Sequence, residues 1–175
     1  MRRVRTDAVS TEVELEDSRS GFESFFQAEH ERLVKALYLV TGSVQEADEL
    51  AQEAFLKVWE RWDRVRAMDS PAGYLYRTAM NAFRSRLRRA VVAARRSVGL
   101  GPGEDDFARV DERDAVARAL GSLTRRQRAA IVLTEYLGYA TDEAAEILGV
   151  KAVTVRVLAS QGRATLRDVL GGTDE

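Results

Sequence analysis

Thr141-Asp142-Glu143-Ala144-Ala145-Glu146-Ile147-Leu148-Gly149-Val150-Lys151-Ala152-Val153-Thr154-Val155-Arg156 is the stretch that decides the fold. Thr141 reads as an N-cap, and Asp142 and Glu143 put acids in a first helical turn, where the helix dipole favours them. Ala144, Ala145 and Leu148 share an inward face. Gly149 supplies a tight turn, and Val150 is expected to plug the core between the two helices. Further on, Val155, Ala159, Gly162, Leu166 and Val169 form one stripe of a second helix. Two short helices joined through a glycine, with small alanine at the crossing, make the helix-turn-helix pattern. Its second helix offers N-terminal residues to a major groove. Here those are Lys151, Val153, Thr154, Arg156, Val157, Ser160 and Gln161. The same spacing also describes an ordinary hairpin of a helical bundle.

Working outward, almost everything else reads as helix. There are only two prolines in 175 residues, and no long segment alternates with period two. Ser20-Gly21-Phe22-Glu23, Ser43-Val44-Gln45-Glu46 and Thr124-Arg125-Arg126-Gln127 each have the form of a capping box. The first should open a helix carrying Phe22, Phe26, Leu33, Leu37 and Val40, with Phe25 broadening the stripe. The second should open one running to about Trp62. Ser70-Pro71 starts a third, with serine as cap and proline at the first helical position. The stretch Gly99-Leu100-Gly101-Pro102-Gly103-Glu104-Asp105-Asp106 is the best linker.

The expected architecture is all-α: two small helical domains joined by a flexible linker, the second containing the helix-turn-helix. The expected boundaries are a disordered tail at 1–20, a first domain at 21–97, a linker at 98–110 and a second domain at 111–171.

Composition narrows the function. With 45% hydrophobic residues the chain can bury a core. It has no cysteine, which excludes disulfides, thiolate metal sites and a cysteine nucleophile, and fits a reducing cytoplasm. A single histidine, His30, excludes His-based zinc sites and Ser-His-Asp triads. No cofactor loop or catalytic cluster appears, so neither catalysis, nor a cofactor, nor a small-molecule substrate is expected. No apolar run approaches the roughly 20 residues of a membrane span, and the start of the chain lacks the apolar stretch of a signal peptide.

The net charge of −1 hides segregation. Between Arg61 and Leu100 there are ten arginines against two aspartates, a local +8. A basic block of that kind can follow phosphates. On the third helix Leu75, Ala79, Ala82, Phe83 and Leu87 make the buried stripe. That leaves Tyr74, Arg77, Asn81, Arg84 and Arg88 on one outer face. Arginine neutralises phosphate, the amide of Asn81 offers paired groups to a base edge, and the phenol gives a stacking surface. The second helix carries a different face, with Glu49, Gln52, Glu53 and Glu60 around an exposed Leu56. Acids around one apolar anchor suit a basic protein partner better than DNA.

Taken together, these segments resemble the extracytoplasmic-function (ECF) sigma factors of the sigma-70 family. Glu46-Ala47-Asp48-Glu49-Leu50-Ala51-Gln52-Glu53-Ala54-Phe55-Leu56-Lys57-Val58-Trp59 resembles the region 2 helix that docks on polymerase. Ser70-Pro71-Ala72-Gly73-Tyr74-Leu75-Tyr76-Arg77-Thr78-Ala79-Met80-Asn81, ending in Arg86-Leu87-Arg88-Arg89, resembles the −10 recognition segment. Leu123-Thr124-Arg125-Arg126-Gln127-Arg128 with Thr141 to Arg167 resembles region 4.

The resemblance implies that Asp48, Glu49, Gln52, Glu53 and Leu56 hold core RNA polymerase. Asn81 and its neighbours would capture a −10 base of promoter DNA, the second domain would read the −35 duplex, and an anti-sigma protein would mask these surfaces. It also exposes departures. The family's recognition helix runs Gly-Thr-Val, then a cation, then Ser-Arg and soon another arginine. Here Val153, Val157-Leu158 and Gln161 stand at the glycine, the Ser-Arg pair and the later arginine. Lost cations predict weak or unusual −35 recognition, although Val157 could touch a thymine methyl. Ser85 replaces an acid common before the Arg-Leu-Arg-Arg end. Residues alone leave open a helix-turn-helix regulator acting without polymerase, and a helical adaptor for proteins.

Overall fold

The computed structural model describes residues 4–96 and 115–171. The order is α1 (Val4–Thr41), α2 (Val44–Trp59), a single turn α3 (Trp62–Val65), α4 (Pro71–Arg96), α5 (Ala115–Gly121), α6 (Arg125–Ile131), a π-helical turn (Val132–Tyr136), α7 (Thr141–Leu148) and α8 (Ala152–Gly171). Among the described residues there is no strand. The expected linker, 98–110, lies outside them.

Alanines set how closely the first three long helices approach. Ala47, Leu50, Ala51, Ala54, Phe55 and Val58 form the buried side of α2. It packs on α1, which buries Leu33, Ala36, Leu37 and Val40, and on α4, which buries Leu75, Tyr76, Ala79, Met80, Ala82 and Phe83. One continuous apolar cluster runs from these residues into Ala129, Ala130, Val132, Leu133 and Ile147 of the second half. The main packing contacts that join the halves are α4 on α7, and α1 on α6 and on the π-helical turn.

Several expectations change. Residues 4–20, read as tail, are helical, because α1 begins at Val4. No proline interrupts that run, and Ser20 sits inside the helix, its carbonyl accepting the Ser24 hydroxyl at 3.1 Å. Gly21 is not required there, since a Cβ would make only ordinary contact, 3.6 Å from the Trp62 indole nitrogen. The rings of Phe22 and Phe25 hold that turn against Trp62 at 5.4 and 5.1 Å. The second helix stops at Trp59 rather than Trp62, with Glu60 as its C-cap.

Thr141 is the first residue of α7, not its cap. The cap position is Ala140, and Glu143 satisfies its N–H at 2.8 Å. Val150 does not plug the core, being 38% exposed. The left-handed turn at Gly149 (φ 59°, ψ 42°) carries it out of a seam already filled by Ala144, Ala145, Leu148, Val155 and Ala159. The capping box at Thr124 forms as read, with Gln127 returning the bond. At Ser43 only half of it forms, since the Ser43 hydroxyl accepts the Glu46 N–H but the Ser43 N–H donates to Thr41 Oγ1 and the Glu46 carboxylate takes Arg125 instead.

Candidate nucleic-acid and partner-docking faces

The outer face of α4 is built by its cap and its buried stripe. The Ser70 hydroxyl accepts the Gly73 N–H at 3.0 Å and fixes where the helix starts. With Leu75, Ala79, Ala82 and Phe83 turned inward, the 3.6-residue period leaves Tyr74, Arg77, Asn81, Arg84 and Arg88 outside. Asn81 is exposed, not core. Its Oδ1 accepts from Arg84 Nη1 at 3.5 Å, and the Tyr74 hydroxyl accepts from Arg61 at 3.4 Å. The structure therefore brings an amide, a phenol and guanidinium groups together as the residue pattern requires. Two of them already have company from the second half. Arg77 Nη2 lies 2.8 Å from Glu146 Oε2, and the guanidinium of Arg84 lies over Gly149.

On α2, Asp48, Glu49, Gln52 and Leu56 are exposed and Glu53 is half-buried. Leu56 is 58% exposed, as an anchor for a partner would be, and it has company: Trp59, one turn on, is 44% exposed and lies tilted against Phe22 with ring centroids 4.8 Å apart. The acids are held from α4. Arg86 donates to Glu49 at 2.7 Å and lies 3.6 Å from Glu53, which also takes Lys57 at 2.7 Å. Hydrogen bonds from Arg86 and Gln45 hold the Glu49 carboxyl below its usual range, and the bond from Lys57 does the same for Glu53.

Lys151, just before α8, and Val153, Thr154, Arg156, Val157, Ser160 and Gln161 within it are all exposed. The backbone carbonyl of Lys151 accepts the Thr154 N–H at 2.9 Å, opening the helix. Val153 and Val157 put two bare aliphatic side chains on this face. Val150, Thr154 and Leu158 line one wall of a 610 Å³ groove whose opposite wall is Leu87, Val91 and Val92 of α4, with Arg84, Arg88 and Arg126 also lining it.

Sequence reasoning missed the residues that tie the halves together. Arg125 Nη1 lies 3.0 Å from the Glu46 carboxylate, with the two side chains only 16% and 20% exposed. Arg32 donates to the Leu137 carbonyl at 3.3 Å. Glu46 with Arg125 and Glu146 with Arg77 pair across the halves, 79 and 69 residues apart, while Arg86 finds Glu49 37 residues away within the first half; no local periodicity signals such pairs. Among the described residues, no group of three or more His, Asp or Glu is placed to hold a metal ion, and no helix is long and apolar enough to cross a membrane.

Residues 25–91 match the Sigma-70 region 2 family, and residues 113–166 match the Sigma-70, region 4 family. The chain is 31% identical over 171 residues to the ECF RNA polymerase sigma factor SigM of Mycobacterium tuberculosis, covering 97% of this chain and 87% of that protein. It is 29% identical over 154 residues to the ECF RNA polymerase sigma factor SigE of Mycolicibacterium smegmatis, covering 80% and 58%. Among solved structures, the fold is similar to the sigma factor RpoE in complex with the anti-sigma factor NepR from Bartonella quintana (TM-score 0.70, 22% identity, 89% of this chain and 99% of that one). It is also similar to CnrH in complex with the cytosolic domain of CnrY (TM-score 0.60, 27% identity, 90% and 91%).

Proposed function

The chain belongs to the ECF RNA polymerase sigma factors, and from that membership we propose how its faces divide the work of promoter recognition. As a sigma factor it binds core polymerase and promoter DNA and directs initiation. It catalyses no step itself and acts in the cytoplasm, where polymerase is. Residues 21–97 form the region 2 domain and 111–171 the region 4 domain, with 98–110 joining them. Asp48, Glu49, Gln52, Glu53 and Leu56 dock on the polymerase. Tyr74, Arg77, Asn81, Arg84 and Arg88 hold the −10 element. Lys151, Val153, Thr154, Arg156, Val157, Ser160 and Gln161 face the −35 duplex. RpoE was solved with an anti-sigma factor and CnrH with the cytosolic domain of CnrY; a protein regulator is a partner we propose for this chain too.

The observation that carries this reading is the exposed Asn81 amide set among guanidinium groups. Taking a base from the stack costs a few kcal/mol, and a face that supplies both base-edge hydrogen bonds and phosphate contacts returns it. The α2 face is separate from it and opposite in charge. In vitro transcription with core polymerase on a promoter library is the test. Asn81→Ala should keep core binding and lose initiation, whereas Leu56→Asp should lose core binding itself. Reconstituted holoenzyme that starts no transcript on any promoter would overturn the assignment.

A further inference from the structure

We infer that α7 shuts the α4 face by phosphate mimicry: the Glu146 carboxylate occupies on Arg77 the place a DNA phosphate would take. This rests on the reading of α4 as the strand-gripping face. Carboxylate and phosphate offer a guanidinium the same thing, oxygen acceptors carrying negative charge. Glu146 Oε2 sits 2.8 Å from Arg77 Nη2, so the carboxylate takes one face of the guanidinium and offsets the charge a phosphate would meet there. Three further features point the same way. Tyr74, Arg77, Glu143 and Glu146 line one shallow cavity between α4 and α7. Arg84, the next guanidinium along the face, lies against the Gly149 backbone that ends α7. The apolar cores of the two halves are continuous beneath, with the Tyr76 and Tyr139 rings 5.9 Å apart across the seam.

The latch is weak by design of its surroundings. Both side chains of the Arg77–Glu146 pair are about half exposed or more, and exposed pairs of this kind shift an equilibrium by about fivefold at most. The partly buried Arg125–Glu46 pair and the bond from Arg32 to the Leu137 carbonyl hold other edges of the seam. Removing the Glu146 charge therefore uncovers Arg77 without releasing the whole domain. The consequence is a free chain that competes with its own DNA, and a competitor that salt and partner binding can displace.

The test uses the full chain without polymerase and a fluorescein-labelled single-stranded deoxyoligonucleotide pool of random sequence as probe. Glu146→Gln should bind about threefold more tightly than the parent chain. Glu135→Gln is the control, since it removes the same charge from the same half, where Glu135 pairs with Arg163 at 2.8 Å away from α4. It should change binding by much less. In an Arg77→Gln background the gain from Glu146→Gln should vanish. Equal shifts for the Glu146 and Glu135 variants, or no tightening with Glu146→Gln and with a second variant, Glu146→Ala, would overturn the latch. The reading of α4 fails separately, if Arg77→Gln holoenzyme initiates as well as the parent.

Discussion

Arg86 of α4 and Glu49 of α2 are joined at 2.7 Å, so the helix proposed to hold DNA and the helix proposed to hold polymerase share one ion cluster. The cluster keeps the Glu49 and Glu53 carboxyls below their usual value of 4.5. Because folding lowers these pKa values, the contribution is fully present above about pH 4.5 and is lost as pH falls through the folded values. Arg86→Met should therefore be less stable than the parent at pH 7, and the gap should close in acid. Urea unfolding at pH 7, 5 and 3.5 checks this. A gap that is constant across the series would mean that Arg86 acts through packing alone.

Tyr76 is 1% exposed, and its hydroxyl is buried with no hydrogen-bond partner among the described residues. Burial, with Glu29 nearby, pushes its ionisation well above the ordinary 10. A raised phenol gives stability that is complete below pH 10 and drains away as pH climbs toward the folded value. Tyr76→Phe keeps the ring and removes the unsatisfied group, so it should stabilise by about 1 kcal/mol at pH 7. It should also flatten the alkaline loss. Thermal unfolding at pH 7 and pH 10.5 measures both effects, and a loss of stability at pH 7 would show that the hydroxyl makes a bond with a solvent molecule.

How much of this was legible depends on distance along the chain. The stripe Leu75, Ala79, Ala82 and Phe83 has a period, and the period places Asn81 outside. The caps at Ser43 and Thr124 are local chemistry and form where read, but the box at Ser43 stays half made because Glu46 is drawn to the distant Arg125. Ser20 has the same motif, yet no end forms there, because a helix end also needs something to stop the chain and nothing does between Val4 and Ser20. Val150 was misplaced because its apolar character says nothing of the turn at Gly149 that swings it outward. The seam pairs, Arg77 with Glu146 and Arg125 with Glu46, join residues 69 and 79 positions apart. Nothing short of the packed structure could pair them.

Gly149 offers a test of that turn. Its φ of +59° would cost an L-residue about 1–2 kcal/mol, and an added Cβ would also meet the Arg84 guanidinium. Gly138 also has a positive φ (+75°) but has nothing within 4 Å of the added methyl. Gly149→Ala should thus destabilise more than Gly138→Ala in urea, and Arg84→Ala should remove the difference. Equal costs at the two glycines would place Arg84 elsewhere in solution.

Val157 tests the DNA side of α8. It is 48% exposed on the face proposed to enter a major groove, where an aliphatic side chain neutralises no phosphate. Each phosphate neutralised steepens the fall of log affinity with log salt by about 0.9. Val157→Arg should therefore tighten binding of the full chain, with core polymerase, to promoter duplex and steepen its salt slope by about one. Because the site is exposed, stability should move by no more than about 0.5 kcal/mol. Fluorescence anisotropy over a salt series gives the slope directly. If the added cation leaves both affinity and slope untouched, this face of α8 does not approach DNA, and the −35 element is read elsewhere.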